Sequence, residues 1–321
     1  MTKRAGATVA VLLLAAGCRP GPQPRVEPPR APSARQVPHL LRVRTTAGGA
    51  AQTVAIPLEE YVLASVLSEV SPPVSAGGSA RRVFEVQAIV ARTYALANLR
   101  RHAADGYDLC DTTHCQLVDL ERPRRARWAN IAREAVDATR GIALYFDDAP
   151  ATTLYSADCG GHRASASDVW GFRDVPYLRG GPDPLPDGRS HQEWQFEASR
   201  EDVRKALNAD KRTTVGARLD TIDVQKRDPS GRARLLLLNG TRAPLVRGED
   251  FRAVMARSFG ARAIRSSRFT VARNGRSFVF EGQGFGHGVG LCQTGALARA
   301  THGDKPADIL AFYFPGTRLR R

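Results

Sequence analysis

The sequence PLEEYVLASVLSEV, residues 57–70, has the apolar spacing of an amphipathic helix that begins after Pro57. Placed at roughly 100° per residue, four apolar side chains form one broad face: Leu58, Val62, Val66 and Val70. Glu69 falls within this face, which is unusual because burial disfavours a charged carboxylate. Glu59 and Glu60 lie in the first turn, where they favour the helix dipole, and we expect them to be solvated.

A second helix is predicted over residues 80–101, ARRVFEVQAIVARTYALANLRR. Its apolar face consists of Val83, Val86, Val90, Tyr94 and Ala97. Gln87 lies within that face, and a buried polar side chain needs a partner. The loop between the helices, residues 71–79, is rich in Pro, Gly and Ser. We therefore expect a helix pair at the centre of the fold.

Short β-prone runs and further helical patterns surround this pair. We predict strands over residues 40–46 and 53–56, a strand pair over 142–146 and 152–156, and helices over 126–139, 249–258, 291–300 and 306–314. Residues 219–280 alternate β-prone runs with turn signals such as Asn274-Gly275. The expected fold class is α+β: a single mixed domain, residues 39–321, with a β-rich inserted subdomain at about 210–280.

The N-terminus has the pattern of an export signal. Lys3 and Arg4 precede an apolar run, residues 9–16, that is too short to span a bilayer and ends near Cys18. Residues 1–18 resemble the signal peptide of bacterial lipoproteins, in which the cysteine is lipidated. Residues 19–38 contain seven prolines and favour an extended polyproline II tether. These features predict an exported protein of the cell envelope, held to a membrane by a lipid on Cys18.

The formal charge of +15 comes mainly from arginine, since only five of the 47 basic residues are lysines. Such a surface either seeks a polyanion or is simply well solvated. Nucleic-acid binding is disfavoured, because the chain has an export signal and lacks an interleaved aromatic and basic motif.

Seven sequence blocks, in order from about residue 40 to the C-terminus, resemble the SpoIID/LytB family of sporulation and cell-wall lytic proteins. They are LEEYV with SEV (58–62 and 68–70), EVQAIVARTYAL (85–96), DLCDTTHCQ (108–116), YSADCGGH (155–162), DP (183–184), GFGHGVGLCQTGA (284–296) and YFPGT (313–317).

The resemblance implies a lytic transglycosylase that cleaves peptidoglycan glycan strands, preferably stripped of peptides, between N-acetylmuramic acid and N-acetylglucosamine. Glu69 corresponds to the essential glutamate, which protonates the leaving oxygen and then accepts a proton from the muramic acid C6 hydroxyl. A hydrolase would need a second carboxylate; Asp158 and Asp168 are the candidates, and either could instead cap a turn. The alternative for Glu69 is a helix-end glutamate paired with an arginine.

Six residues are predicted to support Glu69 or bind substrate: Gln87, Arg92, Tyr155, Ser156, His287 and Gln293. We expect residues 284–290 to form one wall of the glycan groove, because glycines around His287 allow close approach of the backbone. Each assignment has a structural alternative. Gln87 and Arg92 could simply form hydrogen bonds within the core, Tyr155 and Ser156 could simply end a strand, and the residues around His287 could be a plain glycine-rich connection.

Four cysteines remain beyond Cys18, and two interpretations of them stay open. Zinc could bind Cys110, His114 and Cys115, with His162 or Cys159 as the fourth ligand, as some relatives of the family carry zinc at an equivalent cluster. Export instead favours disulfides, Cys110–Cys115 and Cys159–Cys292. No cofactor is required for the expected chemistry, so zinc would be structural.

A different class of function is also compatible with the resemblance. LytB-type members suggest a non-catalytic wall-binding module that stimulates a partner, an N-acetylmuramoyl-L-alanine amidase. Such a module needs the groove but not the acid on Glu69.

Overall fold

The structure is a computed structural model that describes residues 40–46, 49–171 and 173–321. The predicted signal peptide, the tether and Cys18 lie outside the described residues. The helices are α1 (Leu58–Glu69), α2 (Ser79–Ala97), α3 (Arg122–Arg125), α4 (Ala129–Ala138), α5 (Ala166–Trp170), α6 (Arg200–Asn208), α7 (Gly248–Phe259), α8 (Gln293–His302) and α9 (Pro306–Tyr313).

The strands are short and form several small sheets, which confirms the α+β class. They are β1 (Leu40–Thr45), β2 (Gln52–Pro57), β3 (Leu109–Cys110), β4 (Ala143–Phe146), β5 (Ala149–Pro150), β6 (Tyr155–Ser156), β7 (His162–Arg163), β8 (Gly181–Pro182), β9 (Glu193–Ser199), β10 (Leu219–Arg227), β11 (Ala233–Gly240), β12 (Leu245–Arg247), β13 (Phe269–Asn274), β14 (Ser277–Gln283), β15 (Leu291–Cys292) and β16 (Arg318–Arg320).

The helix pair α1 and α2 forms the centre of the molecule, as the apolar spacing predicted. α1 begins directly after Pro57 and packs with the β1–β2 hairpin, α2 and α4 around a shared hydrophobic core. The opposite side of α2 contributes Val83, Val86 and Val90 to a second core with α8 and α9. α2 is therefore buried on both sides, which explains why its polar residues are so deeply enclosed.

Arg92, one of these polar residues of α2, has an unexpected partner on α1. Glu59 was expected to be solvated, but its carboxylate pairs with the guanidinium of Arg92, whose side chain is fully buried, over 2.9 and 2.5 Å. A buried arginine needs a partner with negative charge, and α1 supplies it from its first turn.

The pairing of two predicted strands was also wrong. β4 pairs with β5 and β16 rather than with residues 152–156. Tyr155 and Ser156 instead form β6, which runs parallel to β15. Strands this short have little pairing preference of their own, so tertiary packing decides their partners.

The β-rich part of the chain has its own core. Two three-stranded sheets, β10-β11-β12 and β13-β14-β9, pack with α6 and α7 around side chains from Trp194 to Phe280. The unit therefore includes β9 and α6, which precede the expected start at about residue 210. The Asn274-Gly275 turn joins β13 to β14 as predicted, with Gly275 at a positive φ of 57°.

None of the helices in the described part of the chain combines the length and apolar character needed to cross a membrane.

Candidate active site around Glu69

Glu69 is the last residue of α1, and its half-buried carboxylate is held on one oxygen. Oε1 accepts hydrogen bonds from the Leu117 backbone N–H (2.8 Å) and from the Tyr155 hydroxyl (3.1 Å). Burial raises the pKa of Glu69, and these two hydrogen bonds only partly oppose the effect. A carboxyl group with a raised pKa can hold a proton closer to neutral pH, as a general acid must.

A relay of side chains fixes the direction of these hydrogen bonds. The buried Tyr61 hydroxyl donates to Gln116 Oε1 (3.0 Å), and Gln116 Nε2 donates to the Tyr155 hydroxyl (3.2 Å). Tyr155 must then donate to Glu69. In the described residues both donors bond to Oε1, so Oε2 is available to carry a proton.

Sequence reasoning did not single out Tyr61 or Gln116. Tyr61 has the spacing of an ordinary core residue, but Gln116 directly follows Cys115 in a block shared with the family. The segment after Gln116 is itself fastened to the end of α1, because Asp119 N–H donates to Ser68 Oγ and Arg122 Nε donates to the Leu67 carbonyl. The end of α1 and this segment therefore form one rigid support for Glu69.

The glycine-rich segment 284–290 lies beside β6. Gly286 has a φ of 101°, and a Cβ there would lie 2.8 Å from the Ser156 Cβ, so both its conformation and its packing require glycine. Gly288 is equally constrained, because a Cβ would lie 2.0 Å from a guanidinium nitrogen of the buried Arg232. The segment is therefore tightly packed against β6 and Arg232, and its role as a wall of the glycan groove stays a prediction.

His287 lies in this wall as a neutral imidazole. Its Nδ1 accepts from the Val289 N–H at 3.0 Å, and the ring centroid lies 4.9 Å from that of Trp170. Burial lowers the pKa of His287 to about 4, although a hydrogen bond to the Tyr155 backbone acts in the opposite direction. His287 thus neighbours the tyrosine that holds Glu69, and it carries no charge at neutral pH.

Three of the predicted site residues have a buried polar atom that finds no partner within the described part of the chain: Gln87 Nε2, Ser156 Oγ and Gln293 Nε2. The parallel pairing of β6 with β15 sets Ser156 opposite Cys292, so Gln293 follows directly. Unsatisfied buried polar groups are costly and call for an explanation.

Arg92 does not contact Glu69. Besides the pair with Glu59, its Nη1 donates to the Ile142 carbonyl at 3.0 Å, which links α1, α2 and the start of β4. Arg92 therefore forms its hydrogen bonds within the core, which is the structural alternative given for this residue.

The two candidate second carboxylates have structural partners. The fully buried Asp158 accepts from the Gly160 and Gln192 backbone N–H groups and pairs with His191 at 2.7 Å. Asp168 pairs with Arg234 at 2.9 Å. In the described residues neither forms a hydrogen bond with Glu69, and both are held by these partners.

Three residues of the predicted zinc site lie close together, and a fourth residue joins them. The side-chain ligand atoms of His102, Cys110, His114 and Cys115 lie within 4.8 Å of one another. His102 is the fourth member of this group, whereas the sequence predicts His162 or Cys159 as the fourth ligand. His162 lies instead on β7, where its Nδ1 contacts the Arg163 carbonyl. His102 could not be recognised from the sequence because it lies outside the block 108–116, eight residues before Cys110, and the turn after α2 brings it back.

These four residues fit a structural zinc ion. Two thiols and two imidazoles are a common tetrahedral set, and Cys115 Sγ lies 3.4 Å from His102 Nε2 and 3.9 Å from His114 Nδ1. Burial lowers the pKa of His114, which favours the neutral ring that binds metal. Since Gln116 and Leu117 follow directly, an ion here would hold the segment that contacts Glu69.

The second cysteine pair is buried behind the glycine-rich wall. The Cys159 N–H lies 3.2 Å from Cys292 Sγ, which also accepts from Gly295 N–H at the start of α8. All four cysteines of the described chain are thiols in the structure. The disulfides Cys110–Cys115 and Cys159–Cys292 stay predictions.

Metal content will test the ligand assignment. We expect purified protein to bind about one zinc ion per chain, and we expect His102→Ala and Cys115→Ser to lose it. His162→Ala is the matched control and should keep the metal. Elemental analysis of the three variants measures this directly, and zinc loss in His162→Ala with retention in His102→Ala would contradict the assignment.

Comparison with known proteins places this geometry in context. Residues 46–146 match a family model described as Stage II sporulation protein (SpoIID), and residues 185–290 match a domain of unknown function (DUF8618). The first match contains Glu69 and the cluster of His102, Cys110, His114 and Cys115. The second covers the β-rich unit and the whole glycine-rich segment 284–290.

Three relatives resemble most of the chain. Stage II sporulation protein D of Bacillus subtilis is 25% identical over 280 residues, 82% of this chain and 74% of the relative. An uncharacterized protein of Brachyspira hyodysenteriae is 28% identical over 270 residues, 82% of this chain and 66%, just under two thirds, of that protein. The Amidase enhancer of B. subtilis is 25% identical over 282 residues, 73% of this chain and 37% of the enhancer.

Proposed function

Because the chain belongs to the SpoIID/LytB family, we propose that it is a lytic transglycosylase that cleaves peptidoglycan glycan strands between N-acetylmuramic acid and N-acetylglucosamine. The observation that carries the proposal is the Glu69 carboxylate, with a raised pKa and two donors on one oxygen, while Asp158 and Asp168, the candidates for a second carboxylate, are engaged by His191 and Arg234. A hydrolase normally requires a second carboxylate.

Glu69 performs both proton transfers. Protonated Oε2 first donates to the glycosidic oxygen, and the bond to the muramic acid C1 breaks. The resulting carboxylate then accepts the proton of the C6 hydroxyl on the same sugar, and that oxygen attacks C1. The product has an anhydromuramic end, no water enters, and Glu69 returns to its protonated form.

The remaining residues have distinct parts in this scheme. Tyr155 keeps its proton, because burial raises the pKa of its hydroxyl well above the ordinary value, so it donates to Glu69 in both states. Gln87, Ser156 and Gln293 offer their unpartnered groups to sugar hydroxyls. His287 shapes the wall beside Tyr155 as a neutral group. Zinc, when bound, supplies no chemistry; it stabilises the segment that carries Gln116 and Leu117.

Mass spectrometry of soluble products tests the function. Purified protein and its Glu69→Gln variant are incubated with intact and with peptide-stripped peptidoglycan. We expect anhydromuramic ends from the wild type on stripped strands and none from the variant. Reducing ends would show a hydrolase, and the absence of products from the wild type would reject the proposal.

The pH profile of cleavage should respond to Tyr155. Activity requires protonated Glu69 at the start, so kcat/KM falls as pH rises through its pKa. The Tyr155 hydrogen bond lowers that pKa; its removal in Tyr155→Phe should therefore shift the falling limb to higher pH, besides reducing the maximal rate. Tyr145→Phe, on β4, is the control and should leave the limb in place. An unchanged or lowered limb in Tyr155→Phe would contradict the role of Tyr155.

A second candidate function rests on the similarity to the protein named Amidase enhancer. In that role the chain binds glycan through the same groove and stimulates an N-acetylmuramoyl-L-alanine amidase without cleaving strands itself. Stimulation of such an amidase that is equal for wild type and Glu69→Gln, with no anhydro products from either, would favour this function.

Export and lipid anchoring complete the proposal, since glycan strands lie in the cell envelope. The lipoprotein-like pattern that ends at Cys18 supports a membrane attachment. Cys18→Ser should move the protein from the membrane fraction to the soluble envelope fraction, and unchanged membrane association would contradict lipidation at this residue.

A further inference from the structure

A cavity of about 310 Å³ opens beside the end of α1 that carries Glu69. The residues that follow Glu69, Val70 and Ser71, form part of its wall. The opposite wall comes from α3 and the turn into α4: Arg122, Arg125, Arg127 and Trp128. A volume of this size lies within the usual range of small-ligand sites.

The cavity is strongly basic. Three arginines line it, and its wall contains no acidic residue. Arg125 bonds to Asp119. Arg122 contacts only the Leu67 carbonyl among the bonds of the described chain, and Arg127 forms no ion pair within it. Arg122 and Arg127 therefore have no carboxylate partner among the described residues, and their positive charges would attract an anion into the cavity.

Apart from Ser71, the rest of the wall is apolar, and Trp128 is held in place within it. Trp128 Nε1 donates to the Pro72 carbonyl at 3.0 Å, and its ring packs edge-on against Phe84 with centroids 6.5 Å apart. Leu67, Val70 and Pro72 complete this side. The ligand that fits has an anionic group for the arginines and a small apolar group for this side.

We propose that this cavity binds the free lactyl carboxylate of the muramic acid next to the scissile bond. The inference rests on the proposed function, and it adds a specificity site to it. A lactyl group carries a carboxylate beside a methyl group, and arginine binds carboxylates through paired, charge-assisted hydrogen bonds. The group hangs from C3 of the ring whose C1 is cleaved, so it lies close to Glu69 in the bound strand.

This site would distinguish stripped from peptide-bearing strands. A stem peptide converts the lactyl carboxylate into an amide, which removes the charge and adds bulk. The arginines then lose their counter-ion, and the cavity must hold a larger group. Selection for stripped glycan would follow from the charge of one substituent.

Binding to the Glu69→Gln chain tests the proposal without cleavage. The probes are a tetrasaccharide of alternating N-acetylglucosamine and N-acetylmuramic acid with free carboxylates, and the same sugar with its carboxylates reduced to alcohols. Two double variants in this background are compared: Arg125→Gln with Arg127→Gln, inside the cavity, and Arg124→Gln with Arg133→Gln, exposed outside it. Both lose the same charge.

We expect the cavity variant to bind the carboxylate probe about tenfold more weakly, and the outside variant to bind it unchanged. The reduced probe should bind to the chain with its cavity arginines intact about tenfold more weakly than the carboxylate probe does. The cavity variant should bind the reduced probe no more weakly than that. Equal losses in both double variants would reduce the effect to net charge, and equal affinity of the unsubstituted cavity for both probes would overturn the proposal.

These outcomes are separable from the fate of the proposed function. If the protein with Glu69 intact fails to cleave glycan but the binding pattern holds, the carboxylate site stands and transglycosylation falls. If it cleaves glycan but binds both probes equally, the function stands and the site falls.

Discussion

Glu69→Gln should reduce glycan cleavage by about 10³-fold or more, since general acid–base catalysis contributes factors of this order and Glu69 acts in both steps. Glutamine keeps the shape of the side chain and can still accept the hydrogen bonds from Leu117 and Tyr155. It cannot transfer the proton. The loss should appear in kcat with little change in KM, as measured by release of soluble glycan ends.

The same variant should be as stable as the wild type at neutral pH, or more so. Burial raises the pKa of Glu69 in the folded state, so its charged form costs stability above its ordinary pKa. Glutamine removes that cost, and the difference should vanish as pH falls below the ordinary pKa of glutamate. A variant that is inactive because it is unfolded at pH 7 would contradict the assignment of Glu69 as catalytic.

Glu59→Gln should lower the free energy of unfolding by about 3–5 kcal/mol, because it leaves the buried guanidinium of Arg92 without its counter-charge. Arg92 is fully buried, and Glu59 is its only carboxylate partner in the described residues. Two hydrogen bonds, of 2.9 and 2.5 Å, are weakened at once. Denaturant unfolding measures the change.

Glu60→Gln is the matched control for this substitution. Glu60 has the same chemistry, the next position in the first turn of α1 and an exposed side chain. We expect a change within about 0.5 kcal/mol. Equal losses for the two variants would mean that the helix dipole, rather than the buried pair, accounts for the effect.

The helix pair and the position of Glu69 could be predicted from the sequence because both depend on local periodicity. α1 and α2 begin within one residue of the expected positions, and Glu69 lies at the half-buried end of α1. Local spacing, however, does not reveal which charges find partners. Glu59 was expected to be solvated because a first-turn glutamate usually is, and only the burial of α2 on both sides brings Arg92 to it.

The assembly of the site could not be predicted in the same way. Tyr155 and Ser156 lie more than a hundred residues before Gln293, and two-residue strands carry no signal that would pair them. His102 lies outside the recognisable motif and joins the cysteines only through a turn. From the sequence, the arginines of the cavity contributed only to the net charge of the chain. It is α3 and the turn that follows it that bring them to the end of α1.

The most direct test of the central claim is cleavage of stripped glycan in heavy-oxygen water, followed by mass spectrometry of the new ends. Intramolecular attack by the C6 hydroxyl uses no solvent oxygen, so we predict anhydromuramic ends without heavy oxygen, formed by the wild type and not by Glu69→Gln. Ends that carry one heavy oxygen would show that water is the nucleophile, and that Glu69 does not catalyse the two proton transfers proposed for it.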